Sequence, residues 1–284
     1  MYCIYSGENL KDEDMSIEHI IPLSLGGCNE FTIYVGKKIN NDLGSSVDGK
    51  FCDDFLVKLH QIPYGNKGHS KKEQIFKARG KMEKHPVTLT ISRNGIKIYD
   101  HFEKKYLDGS IKHKLDVSLF LNREIRFRFV AKVTLATGYY LFGDEFVKYA
   151  DCESLRRLML CEKIADEKLD LKVYDNLTVK RKQDESFEEF RSSVYKYIGG
   201  SIVHFGYGEE NIVASVAING KYIGMVNFRA NTDKLPLDDP LHRVGCMLIC
   251  KENQLIKKSF WQCVKEMNDD LKLVKVDDEV FVDE

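Results

Sequence analysis

Length, composition and charge set wide limits on what this chain can be. It has 284 residues, of which 43% are hydrophobic and 31% charged, which is enough for two or three domains and a substantial core. The longest uncharged apolar run, residues 133–142, is too short to cross a bilayer core of about 30 Å. There is no basic start of the kind that opens a signal peptide, and the eight cysteines are scattered as in a reducing compartment. We therefore expect a cytoplasmic protein with no membrane partner.

The net charge of −1 hides an uneven distribution. Residues 1–55 hold 4 Lys and Arg against 10 Asp and Glu, a net of −6, and residues 133–284 hold 21 against 27, also −6. Residues 56–132 hold 18 against 7, a net of +11. A basic segment of this kind favours contacts with phosphate, although a solvated basic face is the alternative. The cations that we expect to bind DNA are Lys71, Lys72, Lys77, Arg79 and Lys81.

The N-terminal residues show the most informative pattern of the chain. A β-type run over residues 16–21 contains the adjacent pair Glu18 and His19, and Pro22 ends the run because proline cannot donate to a ladder. A Gly-Gly bend at residues 26–27 precedes a second β-type run, residues 31–35, and residues 37–43 begin a helix. The pattern predicts the order strand, loop, strand, helix.

These residue types suit the hydrolysis of a phosphodiester. A neutral imidazole such as that of His19 has a reference pKa of about 6.5 and can accept a proton from water. A divalent ion can act as Lewis acid on the phosphoryl and leaving oxygens, and the oxygens of Glu18 and Asn40 suit Mg²⁺, or Mn²⁺, better than zinc. Neighbours on a regular strand point to opposite faces. We therefore expect a distortion near Pro22 if Glu18 and His19 serve one phosphate.

The whole unit resembles the HNH nuclease fold, also called ββα-metal, over about the first fifth of the chain. The resemblance implies that Glu18 is a metal ligand, that His19 is the general base and that Asn40 on the helix is the second ligand. It also implies that Asn29 braces the loop, and Asn41 is the reserve for Asn40. A bacterial or phage setting follows, such as restriction, anti-phage defence or a mobile element.

The chain departs from this family where many members carry two Cys-x-x-Cys knuckles around a structural zinc. The corresponding segments here are residues 3–6 and 36–39, and three of the four sulfurs are missing. A structural zinc needs a closed shell of four ligands, so we expect no structural zinc. Cys28 and Cys52 are the ligands to consider if zinc were found.

The remaining chain gives weaker patterns. A helix is predicted over 48–59, a β-hairpin over 87–91 and 95–99, helical structure over 124–149, and a helix over 153–168 capped by Asp151. Arg126, Arg128 and Lys132 are interpreted either as phosphate contacts or as a solvated helix face. A linker is predicted over 175–189, followed by an antiparallel sheet with a hairpin at Asn219-Gly220 and a C-terminal helix opened by a capping box at Ser259.

The sequence thus predicts an α+β protein with three domains. They are an HNH unit (1–60), a mixed α/β basic middle region (61–180) and a C-terminal antiparallel-sheet-plus-helix domain (181–284). We expect a metal-dependent endonuclease acting on DNA, with all catalytic groups before residue 45 and the C-terminal domain available for a homodimer or a regulatory partner. The alternatives are a catalytically weak HNH-like module that binds nucleic acid or protein, and a nuclease directed at RNA.

Overall fold

Helices and antiparallel sheets both build the protein, which confirms the expected α+β class. The structure is a computed structural model that describes residues 1–68, 71–107, 114–164, 169–175 and 185–272. No helix within these ranges is long and apolar enough to cross a membrane.

The N-terminal unit has the predicted order of elements. A small hairpin precedes a two-stranded antiparallel ribbon, in which Glu18 lies opposite Ile33 and His19 opposite Thr32. A short helix follows directly and packs on the ribbon. The bounds are β1 Tyr2–Cys3, β2 Glu8–Asn9, β3 Met15–His19, β4 Thr32–Gly36, α1 Lys37–Leu43, a π-helical turn Gly44–Gly49, α2 Lys50–Asp53 and α3 Phe55–Gln61.

The helix predicted over 48–59 is wrong as one element, because it is broken at Asp54. The backbone of Asp54 is extended (ψ 128°), and its side chain accepts hydrogen bonds from the backbone N–H groups of Leu56 and Val57. An aspartate in this position caps a new helix. The chain therefore turns between α2 and α3.

A separate antiparallel sheet occupies the middle of the chain, with strand order β8-β7-β6-β5-β9. It contains the predicted hairpin, which is confirmed with longer strands, and it adds three strands that the sequence did not predict. The bounds are β5 Phe76–Met82, β6 His85–Ser92, β7 Gly95–Asp100, β8 Lys105–Leu107 and β9 Leu115–Val117.

A long helix, α4 (Arg123–Phe142), is buried on nearly every side. It ends at Gly143, whose positive φ of 55° is easy for glycine, and α5 (Asp144–Tyr149) follows. The predicted cap at Asp151 is confirmed, since its side chain accepts from the backbone N–H of Ser154. That helix, α6, spans only Cys152–Leu160, so the predicted extension is wrong up to residue 164, and residues 165–168 lie outside the described residues.

The C-terminal part forms a six-stranded antiparallel sheet with order β10-β13-β12-β11-β14-β15. The Asn219-Gly220 hairpin and both halves of the Ser259 capping box are confirmed. The predicted linker is wrong at residue 175, which ends a strand, and from residue 185 onward, where a helix begins. Residues 176–184 lie outside the described residues. Helix α4 packs on one face of this sheet, and the two C-terminal helices pack on the other. The bounds are β10 Leu171–Asp175, α7 Glu185–Ile198, β11 Ser201–Tyr207, β12 Asn211–Ile218, β13 Lys221–Arg229, β14 Cys246–Lys251, β15 Gln254–Ser259 and α8 Phe260–Leu271.

One hydrophobic core joins the HNH unit, α4 and the C-terminal sheet. Phe51 of α2 stacks on Phe129 of α4, with ring centroids 3.9 Å apart, and Val216 and Phe228 of the sheet are buried in the same cluster. Helix α4 therefore lies between the first and last parts of the chain. The division into domains at residues 60 and 180 stays a prediction.

Candidate functional site

His19 is the last residue of β3 and is half-buried. Its Nε2 lies 3.2 Å from the side-chain oxygen of Asn29. Because that oxygen is an acceptor, it favours the proton on Nε2 and makes Nδ1 the basic nitrogen of the neutral ring. The imidazole is thus oriented at the end of the ribbon.

The loop bend brings Asn29 to this position. Gly26 has a φ of +79°, and a Cβ at residue 27 would lie 1.9 Å from the carbonyl oxygen of Ile21. Only glycine permits so close an approach. The chain can therefore double back after Pro22 and return beside His19.

The same loop contacts the C-terminal sheet. The side-chain nitrogen of Asn29 lies 3.4 Å from Oδ1 of Asn253, in the turn between β14 and β15. The buried thiol of Cys28 lies 3.2 Å from the sulfur of Cys250. The residue that orients His19 is therefore itself supported by the C-terminal part of the chain.

Glu18 points to the opposite side of the strand, toward α4. Its Oε1 accepts a hydrogen bond from Nζ of Lys132, and the same ammonium lies 2.5 Å from Oδ2 of Asp48. The Lys132 side chain is 0% exposed. One buried cation therefore joins two carboxylates, and we call Glu18, Asp48 and Lys132 the buried triad.

Burial and charge act against each other in the buried triad. Burial raises the pKa of Glu18, and Lys132 opposes it; the same two influences act on Asp48, whose pKa is also raised. Burial lowers the pKa of Lys132, but two carboxylates outweigh it and hold that pKa above its usual value. The three pKa shifts are consistent with one another. Two carboxylates act on the one ammonium of Lys132, whereas each carboxylate has only a share of that ammonium.

Asn40 lies on the α4 side of the ribbon with Glu18. Its Nδ2 is 3.1 Å from Oγ of Ser16 and 3.4 Å from the carbonyl oxygen of Ile17, and Ser16 shares a strand face with Glu18. Asn41, the reserve ligand, is exposed. The structure thus places Glu18 and Asn40 on one side of β3 and His19 on the other. Pairing stays regular through His19, so the distortion expected near Pro22 is not present within the strand.

The predicted DNA-binding cations are exposed. Lys77, Arg79 and Lys81 alternate along β5, and Lys71 and Lys72 lie in the segment before it.

Both interpretations of the three basic residues of α4 are wrong. Arg126 is 1% exposed and lies 3.4 Å from Asp54, while Nε of Arg128 donates to the carbonyl oxygen of Met159 at 2.9 Å. Lys132 belongs to the buried triad. These cations stabilise the interior and form neither a solvated face nor a phosphate-binding row.

The sequence did not predict the buried ion pairs of Lys132 with Asp48 and Glu18. A signal existed for Lys132, which is the only charged residue in the apolar run of residues 129–142; a lone lysine in such a helix needs a buried partner. No signal marked Asp48, because its π-helical turn is visible only in three dimensions.

The residues on the α4 side fit a hard divalent ion in donor type and charge. Glu18 keeps a carboxylate oxygen that Lys132 does not use, Asn40 offers an amide oxygen, and Oδ1 of Asp48 is buried with no hydrogen-bond partner among the described residues. The buried triad carries a net charge of −1. Within the described ranges no three His, Cys, Asp or Glu side chains group as metal ligands, so an amide or backbone oxygen and water must complete the shell.

A helix packed on a two-stranded ribbon, with a histidine ending the first strand, defines the ββα class of nuclease folds. Residues 3–56 match the model of a family described as HNH endonuclease. This match confirms the resemblance for about a fifth of the chain. Nucleases of this family depend on a metal. No curated protein and no solved structure matches the chain.

Proposed function

We propose that the protein is a metal-dependent endonuclease that hydrolyses phosphodiester bonds of DNA, with His19 as general base. The observation that carries this proposal is the half-exposed imidazole at the end of β3, oriented by Asn29. A general base must be reachable by substrate and held in one tautomer. His19 meets both conditions within a unit that matches HNH endonucleases.

In this proposal His19 takes the proton of the attacking water at Nδ1. Glu18 and Asn40 would hold Mg²⁺ or Mn²⁺, and a bound ion would supply Lewis-acid stabilisation of the charge on the phosphoryl and leaving oxygens. Lys132 is a positioning residue, because it keeps Glu18 ionised and fixes its rotamer in a site where burial raises the carboxylate pKa. Asn41 is the alternative metal ligand if the Asn40→Ala variant keeps its activity.

A second function, a catalytically weak module that binds nucleic acid or protein, is favoured by one observation. Glu18 already has a cationic partner, and regular pairing keeps it on the side of β3 opposite His19. A module of this kind would hold DNA without cutting it. The two functions therefore differ in one measurable outcome.

The test is to incubate the purified full chain with supercoiled plasmid, linear DNA and RNA, each with Mg²⁺, Mn²⁺ or chelator. The proposal predicts nicking of DNA with either metal and none in chelator. DNA binding without cutting would favour the weak module, and preferential cutting of RNA would favour the RNA nuclease. A role in restriction, anti-phage defence or a mobile element predicts that phage plating or DNA transfer differs between cells expressing wild-type protein and His19→Ala.

A further inference from the structure

The β5 strand of the middle sheet presents cations on one face only. Alternate residues of a strand share a face, and Lys77, Arg79 and Lys81 are all exposed on theirs. The opposite face of β5 carries Phe76 and Met82, which are buried. The cations therefore line the side of the sheet that does not pack on the protein.

Tyrosines lie on the same face. The strand register places Arg79 opposite Thr88, Thr88 opposite Tyr99, and Tyr99 opposite Tyr106, so one row crosses four strands. The two tyrosine rings touch edge to face with centroids 5.1 Å apart. His101 joins them through a ring contact with Tyr99 and a 2.7 Å hydrogen bond to Thr88. We call Lys77, Arg79, Lys81, Lys97, Tyr99 and Tyr106 the cation–tyrosine face.

The fold leaves the cations of this face without acidic partners among the described residues and leaves Tyr106 exposed. No described residue forms an ion pair with Lys77, Arg79, Lys81 or Lys97. The carboxylate next in register, Asp116 opposite Lys81, lies 3.3 Å from Lys114 instead. Tyr106 is 68% exposed. A merely solvated basic face would account for the lysines but not for two touching tyrosine rings, of which Tyr106 is exposed and Tyr99 is half-buried.

We propose that the cation–tyrosine face binds single-stranded DNA. The cations would contact phosphates, and the rings of Tyr99 and Tyr106 would stack on bases; this pairing of positive charge with aromatic rings is how proteins hold unpaired strands. The β5 cations and Tyr99 are two strand spacings apart, roughly 10 Å, so one strand can touch both. A duplex would use only the cations, because its bases are already stacked on each other.

The assignment to DNA, and the idea that the bound strand is the substrate, rest on the proposed nuclease function. Binding of an unpaired strand to this face does not depend on the nuclease function. If unpaired DNA is held here, the nuclease acts on displaced, gapped or looped DNA, or on the single-stranded part of a junction.

The test measures fluorescence anisotropy of an oligothymidylate of about 20 nucleotides, its duplex with oligodeoxyadenylate, and oligouridylate of equal length. The full chain is used in chelator so that cleavage cannot interfere. We expect the single-stranded DNA to bind at least tenfold more tightly than the duplex. Tyr99→Ala/Tyr106→Ala should lose roughly tenfold or more for single-stranded DNA and should change duplex binding little. Tyr99→Phe/Tyr106→Phe is the matched control, which keeps the rings and should bind like wild type.

The cations have a separate readout. Lys77→Ala/Arg79→Ala/Lys81→Ala should reduce the slope of log affinity against log salt by about two for single-stranded DNA. Should the double alanine variant misfold by circular dichroism, Tyr106→Ala alone replaces it, because that ring is largely exposed.

Equal affinity for both DNA forms, tighter binding to oligouridylate, or an alanine variant that binds like its phenylalanine counterpart would overturn the proposal. If the wild-type protein nicks plasmid but does not bind single-stranded DNA, the inference fails and the nuclease function stands. If it binds single-stranded DNA through this face but does not nick plasmid, the nuclease function fails and the binding site stands.

Discussion

Lys132 is one of the residues that connect the HNH unit to the rest of the protein. It is fully buried and is shared by Glu18 and Asp48, which come from β3 and from the turn after α1. Removing one partner of a buried ion pair is costly because the other charges stay behind. The stability of this protein should therefore depend strongly on a single ammonium.

We predict that Lys132→Met lowers the free energy of unfolding by about 3–5 kcal/mol at neutral pH. The loss should be smaller at about pH 5.5 than at about pH 8. Burial already raises the pKa of Glu18 and Asp48, and Lys132 opposes that rise, so its removal raises both further. A group whose folded pKa is raised contributes stability at low pH that is lost as pH rises through that pKa.

Urea unfolding at the two pH values measures this effect. Lys148→Met is the matched control, since Lys148 is exposed on α5. It should unfold like wild type at both. An equal loss for Lys132→Met at both pH values would mean that its carboxylate partners are not buried together.

At the scale of elements, hydrogen bonds and packing hold the two segments that correspond to the zinc knuckles. The sulfur of Cys3 accepts a hydrogen bond from the backbone N–H of Gly36 at 3.2 Å, which joins the segments 3–6 and 36–39. Arg156 of α6 donates to the carbonyl oxygen of Ile4 at 2.8 Å and to the hydroxyl of Tyr2 at 2.6 Å. Hydrogen bonds and packing thus fix the first hairpin.

We predict that Arg156→Ala lowers the free energy of unfolding by about 1–3 kcal/mol, because it leaves a buried carbonyl without its charged donor. Arg157→Ala, the exposed neighbour, is the control and should change little.

The wild-type protein should contain less than one zinc per chain by elemental analysis and keep its melting temperature in chelator. Stoichiometric zinc would show that a metal supports this unit after all.

The elements that the sequence predicted well are those specified by nearby residues. The Asn219-Gly220 turn, the Ser259 cap and the Pro22 and Gly-Gly punctuation act over a few positions, and the structure contains each of these elements. The boundaries at Asp54 and Leu160 were missed because competing caps and tertiary packing decide them. The buried triad was out of reach, since Glu18 and Lys132 are 114 residues apart in the chain.

At the scale of the whole molecule, the shared core makes the HNH unit, helix α4 and the C-terminal sheet interdependent. Helix α4 contacts the HNH unit on one side and the C-terminal sheet on another, and β10 precedes residue 181 yet pairs with β13. A truncation near residue 180 would therefore expose one side of α4 and break up the sheet. Questions about the C-terminal part are better asked of the full chain.

We predict that the parts of the chain that share this core unfold in one transition. Trp261, the one tryptophan in the sequence, lies in α8 beside Arg243, so its fluorescence follows the C-terminal part, whereas far-UV circular dichroism follows the whole chain. The two urea curves should have the same midpoint, because cooperative unfolding follows from a continuous core. A Trp261 transition clearly separated from the circular dichroism curve would instead support independent domains divided near residue 180.

The most direct test of the account compares plasmid nicking by wild-type protein and His19→Ala in Mg²⁺. We predict a loss of about 10²- to 10⁴-fold in rate, with circular dichroism and DNA binding in chelator unchanged, because only the base is removed. His85→Ala is the matched control, since His85 is a half-buried histidine of the middle sheet bonded to Asp100. A His19→Ala variant that nicks plasmid at the wild-type rate would contradict the account.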